Sequence, residues 1–390
     1  MKCFSFILAA TLLLSGCTGT DPVKELTDKV FDLAKTQYSL IDETLKEGEF
    51  PRSANADGSL RTSDIGWWCS GFHAGSLWYV YEYTGDGVMH DMAWKYTLAL
   101  EPLIQRHTDH DIGFQINCSY GNALRLTGDS TTIVPTYIAG AEKLADRFTP
   151  ETGVIKSWDF LRNDWRYPVI IDNMMNLELL TKAYGMSGEK SLKDIAVSHA
   201  DNTLKNHVRE DGTTCHLVDY DPETGAVRSK ETVQGYADGS TWARGQAWAL
   251  YGYTMMYRET GLDRYLSAAD EIGNWIIENL PDDGIPYWDF NAPDIPYALR
   301  DASAAAIMAS AFIELSTLTR KPEYAETYLE TSGRQLLTLG SDEYLACPGE
   351  NAGFLLKHCV GNMPENGEID VPLSYADYYF LEALVRYSKL

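Results

Sequence analysis

The chain has 390 residues, of which 45% are hydrophobic, so it is long enough for one large or two average domains with a buried core. This composition excludes a disordered or fibrous protein. A formal net charge of −24 at pH 7 opposes attraction to phosphate backbones, so we expect no nucleic-acid partner. The 10 Trp, 24 Tyr and 12 Phe residues fit either a large aromatic core or a surface that stacks on sugar rings.

The first 16 residues are predicted to be an export signal outside the fold. Lys2 precedes an apolar run over residues 4–14, which is too short to cross a bilayer. The run ends in Leu14-Ser15-Gly16-Cys17, which resembles the lipobox of bacterial lipoproteins, where the signal is cut before an acylated cysteine. We therefore expect a lipid on Cys17 that anchors the protein in the bacterial cell envelope, periplasmic or at the outer membrane. An ordinary secretory signal is the alternative.

A linker over residues 17–22 is predicted to lead into one domain over residues 23–390, since no second linker follows. Within this domain, glycine-containing corners separate stretches rich in small and aromatic residues from amphipathic stretches; they lie at Gly85, Gly128, Gly188 and Gly261. Each glycine can end one helix in a left-handed cap, and the polar residue after it can start the next. The pattern predicts helical hairpins whose first helix is interior and whose second is outside.

The interior helices are predicted to begin near six positions: Trp68, Asp111, Asp172, Trp242, Asp301 and Asp377. Six hairpins predict an all-α toroid with an inner and an outer ring of six helices each. The loops that enter the inner ring would line one end of it. Because loops on a rigid scaffold often carry binding and catalysis, we expect the functional site at that end.

Two carboxylates, Asp111 and Asp172, each precede an inner helix. As helix N-caps they would only satisfy backbone amides. Alternatively, equivalent places in neighbouring hairpins bring both to one mouth. There, like charge and desolvation would raise one pKa and produce a general acid near neutral pH.

Polar and aromatic side chains share the stretch over residues 234–248: Gln234, Trp242, Arg244 and Trp248. An arginine in this setting, in so acidic a protein, predicts a local site for a carboxylate. The helical spacing of Trp242, Gln246 and Ala249 favours packing between helices for part of the stretch. Three further ring-bearing residues fit either a structural or a binding role: His216, Trp68 and Trp158.

No pattern of metal ligands is convincing, and we expect neither a metal nor a cofactor. His107 and His110 have suitable spacing but no clear third ligand. Residues 219–225 resemble a calcium loop, yet Lys230 occupies the place of its glutamate. Five scattered thiols are predicted to be buried small hydrophobes, without a disulfide framework: Cys69, Cys118, Cys215, Cys347 and Cys359.

Seven segments together resemble glycoside hydrolase family 88, the unsaturated glucuronyl hydrolases. They extend in order from about residue 30 to the end of the chain, and Thr241-Trp242-Ala243-Arg244-Gly245-Gln246-Ala247-Trp248 is the most specific. The resemblance implies an (α/α)6 barrel, in agreement with the hairpin count. The segments are residues 68–72, 110–114, 172–176, 234–248, 286–290, 300–306 and 375–379.

The resemblance also implies a reaction and roles for residues. Polysaccharide lyases leave a C4=C5 double bond on a uronic acid, and members of the family remove that residue by hydrating the bond. Asp172 would protonate C4 and activate the water that adds at C5, Asp111 would assist, and the resulting hemiketal would open and release the rest of the sugar. The implied substrate-binding residues are His216, Gln234, Trp242, Arg244 and Trp248, with Trp68 and Trp158 as stacking walls.

The expected partner is therefore an unsaturated uronic-acid oligosaccharide, derived from chondroitin, hyaluronan or heparin. Family members that act on sulfated disaccharides can carry a Ser-x-x-Ser-x-Lys motif near the chain end. Residues 362–367 stand there in this sequence, and Glu365 would repel a sulfate. The alternatives are an unsaturated rhamnogalacturonyl hydrolase acting on pectin fragments, a lyase or epimerase on the same barrel, and a glycan-binding lipoprotein without turnover. The sequence indicates no particular oligomeric state.

Overall fold

At the predicted corners, each helix ends at a glycine in the left-handed conformation. The computed structural model describes residues 21–160 and 164–390. In it the four corner glycines have φ angles of 70°, 68°, 74° and 69° in chain order. After three of these corners, the carboxylates of Asp86, Asp129 and Glu189 accept hydrogen bonds from backbone amides of the next helix, whereas no side-chain cap forms at Leu262 after the fourth. The left-handed glycine is therefore confirmed at all four corners, and the polar cap at three.

The described residues form helical hairpins that alternate between an inner and an outer ring. Helices α2, α7, α9, α11 and α13, together with α4 and α5 as one interrupted helix, form the inner ring. In chain order the helices are α1 (Pro22–Thr44), α2 (Ser70–Thr84), α3 (Gly87–Leu98), α4 (Ile112–Ile116), α5 (Asn122–Thr127), α6 (Ser130–Ala145), α7 (Leu177–Ser187), α8 (Lys190–Asn206), α9 (Ala243–Thr260), α10 (Asp263–Asn279), α11 (Ala302–Leu318), α12 (Pro322–Leu339) and α13 (Ser374–Ser388).

Each inner helix packs against the next, and α13 packs back against α2, so the ring is closed. Helix α9 is buried on all sides from Ala243 to Met256, whereas its outer partner α10 buries only one stripe. A helix that is apolar all round must lie inside, and an amphipathic helix covers it. The chain thus folds as the predicted (α/α)6 barrel.

The last inner helix begins at Ser374, before the predicted start at Asp377. Asp377 lies inside the helix, where its carboxylate accepts hydrogen bonds from the backbone amides of Leu355 (2.8 Å) and Leu356 (3.0 Å). The carboxylate therefore stabilises a neighbouring loop and does not cap its own helix.

Short antiparallel strands, which the sequence did not predict, occupy the loops that enter the inner ring. They pair as β1–β2, β3–β4, β5–β6–β7 and β8–β9. Pairing of Ile170 with Leu217 in β5–β6 brings the loop before α7 beside the loop before α9. The strands are β1 (Phe50–Ala54), β2 (Leu60–Ser63), β3 (Phe148–Thr149), β4 (Val154–Ile155), β5 (Pro168–Ile170), β6 (Leu217–Tyr220), β7 (Val227–Glu231), β8 (Cys359–Asn362) and β9 (Gly367–Val371).

Helix α1 begins at the corner end of the barrel. Asp28, near its start, accepts a hydrogen bond of 2.7 Å from the hydroxyl of Tyr83 in the last turn of α2. Inner helices run from the mouth to the corners, so this start lies opposite the mouth. The predicted export signal and Cys17 fall outside the described residues. Within residues 21–160 and 164–390, no helix combines the length and apolarity needed to cross a bilayer.

Four of the five thiols expected in the interior are buried, but Cys347 is exposed. It lies in the surface loop between α12 and β8, beyond the packed helices. The expectation that all five thiols are buried was therefore wrong for this one, because its loop runs over the surface.

Candidate active site

A cavity of about 150 Å³ lies at the mouth of the barrel, where the loops enter the inner ring. Both predicted carboxylates line it, as do most of the predicted binding residues. Its lining residues are Trp68, His110, Asp111, Phe114, Trp158, Ile170, Asp172, Gln234 and Arg244. The structure therefore brings together residues that are far apart in the sequence.

Neither carboxylate accepts a hydrogen bond that caps its own helix. Asp111 stands directly before α4 and Asp172 lies in the 3-10 turn Ile171–Asn176 before α7, and no side-chain cap forms at either place. Instead, the side chain of Asn176 accepts the hydrogen bond from the backbone amide of Phe114, at 2.8 Å. A residue of the neighbouring hairpin thus provides the hydrogen-bond acceptor for an amide at the start of α4. The carboxylate of Asp111 lines the cavity instead.

Burial raises the pKa of both carboxyls. It raises the pKa of Asp111 to about 7, with a further contribution from the negative charge of Asp172. Burial also raises the pKa of Asp172 to about 6, against the opposing effect of the Arg244 guanidinium. Because the two groups are coupled, they share a single proton between about pH 6 and pH 7. One carboxyl and one carboxylate then coexist in the cavity.

A neutral imidazole stands beside each carboxyl. The Nδ1 of His216 accepts a hydrogen bond of 2.9 Å from the backbone amide of Val233, so its Nε2 carries the hydrogen. That Nε2 lies 3.7 Å from Oδ2 of Asp172, and Nε2 of His110 lies 3.5 Å from Oδ1 of Asp111. Burial lowers the pKa of His216 to about 3 and that of His110 to about 4. Neither histidine therefore adds a charge at neutral pH.

His110 is a lining residue to which the sequence analysis gave no binding role. The available signal was its place directly before Asp111, within a segment that resembles the family.

Oδ2 of Asp172 is buried and has no hydrogen-bond partner among the described residues. The Asp172 side chain as a whole is 14% exposed, so the carboxyl reaches the cavity although Oδ2 itself faces His216.

Arg244 is held by groups of the protein itself. Its Nη1 donates to the carbonyl of Val360 at 2.5 Å and to Oδ2 of Asp301 at 3.2 Å, and its Nη2 donates to the carbonyl of Gly361 at 2.5 Å. The side-chain amide of Gln234 donates to the same Gly361 carbonyl, at 3.2 Å. Asp301 thus gives Arg244 an internal carboxylate partner that the sequence did not reveal. The contact of Arg244 with a substrate carboxylate stays a prediction.

Two aromatic residues that were predicted as stacking walls line the cavity. The ring of Trp68 packs 4.8 Å from that of Tyr375 and 5.6 Å from that of Phe114. The ring of Trp158 is stacked on Phe160 at 5.1 Å, with an angle of 6° between the planes. Flat rings beside two carboxyls are suited to the faces of a sugar.

Three other predicted binding residues lie behind the lining residues. His216 contacts Asp172 as described, and the ring of Trp242 packs 4.8 Å from that of His216. Trp248 is fully buried, with its ring 5.3 Å from that of Phe114. In this geometry these side chains position the lining residues, and a direct contact with substrate stays a prediction for them.

In the described part of the chain, no three His, Cys, Asp or Glu side chains are grouped so that they could hold a metal ion. Nε2 of His107 lies 3.0 Å from Asp159, away from His110. The loop that resembles a calcium site begins at Asp219, whose carboxylate is occupied by the backbone amide of Tyr167, at 2.7 Å.

Comparisons with known proteins match this chain to the same family that its sequence resembles. Residues 41–285 match the model of Glycosyl Hydrolase Family 88. The chain is 46% identical over 325 residues to an unsaturated glucuronyl hydrolase of Formosa agariphila, over 83% of this chain and 80% of that protein.

Two solved structures extend the likeness to the whole fold. One is an unsaturated glucuronyl hydrolase specific for heparin, with a TM-score of 0.90 and 44% identity over 94% of this chain and 98% of that one. The other is a variant of the Streptococcus agalactiae enzyme in complex with dGlcA-GalNAc6S, with a TM-score of 0.80 and 29% identity over 95% and 93% of the two chains. The match to the family model, the barrel and the sequence identity together show that this chain is a glycosidase that belongs to glycosyl hydrolase family 88.

Proposed function

We propose that the protein removes the 4,5-unsaturated glucuronyl residue from glycosaminoglycan oligosaccharides that a lyase has produced. The observation that carries this proposal is the pair of carboxyls, Asp111 and Asp172, whose side chains are only 16% and 14% exposed, in a cavity with aromatic walls. Family membership and relatives named for this activity support it. A uronate with a double bond needs an acid for carbon and a base for water, and this pair can supply both near neutral pH.

In the proposed reaction the carboxyl of Asp172 protonates C4 of the alkene. The positive charge that develops at C5 is shared with the ring oxygen, and a water molecule adds there. The water loses its proton to the carboxylate of Asp172, which restores the acid. The hemiketal formed at C5 then opens and the rest of the sugar leaves.

The surroundings of Asp172 suit both the protonation of C4 and the later transfer of a proton from water to Asp172. Its side chain is 14% exposed in the cavity that it lines, and Nε2–H of His216, 3.7 Å from Oδ2, keeps a hydrogen-bond donor near the carboxylate that forms. Burial and the negative charge that Asp172 acquires both raise the pKa of Asp111, so Asp111 stays neutral after Asp172 has given its proton to C4. A neutral neighbour avoids repulsion between two anions in a buried site.

The value of kcat/KM is expected to fall as the pH rises through about 6 to 7, and this pair should produce no acid limb. Asp172 must carry the proton for C4, and its carboxylate, the base for water, forms only when that proton has been given up; at higher pH both carboxyls lose their protons, so no acid remains for C4. The measurement is the initial rate on an unsaturated disaccharide from about pH 4.5 to about pH 9. In Asp111→Asn the alkaline limb should move down from about pH 7 to about pH 6. Activity that keeps rising to pH 8 would contradict this assignment.

The proposed activity is tested by the ultraviolet absorbance of the conjugated alkene. Hydration of an unsaturated glycosaminoglycan disaccharide should remove the signal. A lyase would instead create such a signal from polymer, and an epimerase or a binding protein would leave it unchanged. The same assay with an unsaturated rhamnogalacturonyl disaccharide separates the glycosaminoglycan activity from the pectin alternative. Turnover of the pectin fragment alone would overturn the proposed substrate class.

We also propose that a lipid on Cys17 anchors the protein in the cell envelope. The proposal is supported by the run Leu14-Ser15-Gly16-Cys17 and by the short distance in sequence from Cys17 to α1, which begins at Pro22. The Cys17→Ala variant should move from the membrane fraction to the soluble fraction and lose the mass of its acyl chains. A wild-type protein recovered without lipid would contradict the proposal.

A further inference from the structure

A second, cationic pocket of about 370 Å³ opens near the catalytic cavity. Four cations and two acidic side chains line it: Arg106, Lys143, Arg147 and Lys156 with Asp146 and Asp159. The lining thus carries two more positive than negative side chains, in a chain of net charge −24. Such local excess favours an anionic ligand.

A groove connects this cationic pocket with the catalytic cavity. Between them lies a pocket of about 390 Å³, which shares Trp158 with the catalytic cavity. It also shares Arg106, His107, Thr108 and Asp159 with the cationic pocket. The three pockets therefore adjoin in series, with Trp158 between the catalytic cavity and the middle pocket, and this series is the groove.

The middle of the groove carries a ring suited to a sugar. Phe160, which is 60% exposed, lines the middle pocket and is stacked on Trp158. A large aromatic side chain with an open face gives a sugar ring an apolar surface to stack on. A second sugar unit can thus rest between the catalytic cavity and the cationic pocket.

The buried cation of the pocket has an unused donor. The side chain of Arg147 is only 8% exposed, and its Nη1 donates to the carbonyl of Thr108 at 2.8 Å and to Asp159 at 2.9 Å. Its Nε donates to the carbonyl of Lys156 at 2.8 Å. Nη2 is buried and has no hydrogen-bond partner within residues 21–160 and 164–390. Because Nη2 exposes almost no surface, Arg147 contributes its positive charge to the wall of the pocket and no direct donor to a ligand.

Two cations at the rim lack a carboxylate partner in the described part of the chain. Arg106 is exposed and makes no ion pair there, and Nζ of Lys143 donates to the Arg106 carbonyl at 2.9 Å. Asp159, in contrast, is shared by Arg147 and Lys156. The charges of Arg106 and Lys143 are therefore the ones available to a ligand.

We propose that this groove is a subsite for the sugars beyond the cleaved bond, and that its cationic pocket binds a sulfate ester on them. The proposal rests on the proposed function and extends it to the part of the substrate that is released. A tetrahedral sulfate offers several acceptors to guanidinium and ammonium donors. It also gives the protein a site for sulfate away from the turn between β8 and β9, which carries Glu365.

The test compares two unsaturated oligosaccharides of equal length that differ only in sulfation. For Lys143→Gln, which changes a residue of the cationic pocket that does not line the middle pocket, we expect kcat/KM on the sulfated substrate to fall about fivefold through KM, because a charge facing the sulfate is lost. Activity on the unsulfated substrate should stay within about twofold. The control is Lys190→Gln, which removes the same charge from α8 and should change the activity on neither substrate.

Two outcomes would overturn the subsite: equal loss on both substrates, or no loss on the sulfated one. Sodium sulfate, at constant ionic strength, should compete with the sulfated substrate and spare the unsulfated one. Equal inhibition of both would show that free anion acts elsewhere, and would also overturn the subsite. A wild-type protein that consumes neither substrate would instead contradict the proposed function itself.

Discussion

Replacement of Asp172 by Asn is expected to abolish loss of the alkene signal while the substrate still binds. Asparagine keeps the shape of the carboxyl but can neither protonate C4 nor take a proton from water. General acid–base groups contribute about 10²- to 10⁴-fold, so kcat should fall by at least about a hundredfold. Affinity, measured by equilibrium titration, should stay within about tenfold, or roughly 1.4 kcal/mol.

A matched control for this variant is Asp194→Asn, which removes an exposed carboxylate that pairs with Lys190 on α8. Its activity should equal that of the wild type. An Asp172→Asn protein with full activity would show that another group protonates the alkene. Equal loss of binding and turnover would show that Asp172 mainly holds the substrate.

The Asp301→Ala variant is expected to lose about 3 to 5 kcal/mol of unfolding free energy, because it leaves a charged guanidinium buried without its counter-ion. Asp301 and Arg244 are 0% and 1% exposed, and Asp301 also accepts hydrogen bonds from the backbone amide (3.0 Å) and hydroxyl (2.6 Å) of Ser303 at the start of α11. Urea denaturation, followed by circular dichroism, measures the change.

The control for Asp301 is an exposed ion pair of similar kind. Asp263, 69% exposed, lies 2.7 Å from Arg320. Because water screens such pairs, Asp263→Ala should cost no more than about 1 kcal/mol. A loss this small for Asp301→Ala as well would mean that the carbonyls of Val360 and Gly361 hold Arg244 without help from the carboxylate.

The sequence predicted the barrel well because its determinants are local. A left-handed glycine such as Gly85 and a cap such as Asp86 act within one turn of helix. The contrast between an apolar stretch and an amphipathic one also lies within a single hairpin, as in α9 and α10. Helix starts were therefore predicted to within a few residues.

Contacts between distant parts of the chain could not be predicted in the same way. The pairing of Arg244 with Asp301 depends on how two inner helices meet. Whether Trp248 faces the cavity or lies behind Phe114 depends on the rotation of α9 against its neighbours, which periodicity does not define. The short strands of the mouth depend on pairing across loops, such as Ile170 with Leu217. The cavity walls therefore required the three-dimensional structure.

The start of α1 beside the final turn of α2 decides which way an anchored molecule would point. Cys17 precedes Asp21 by four residues, and four extended residues reach at most about 14 Å. A lipid on that cysteine would hold the face with Gly85 and the other turns against the headgroups. The mouth of the barrel, with Asp172, would then face away from the membrane. Sugar fragments in the surrounding fluid would reach it without contact with the bilayer.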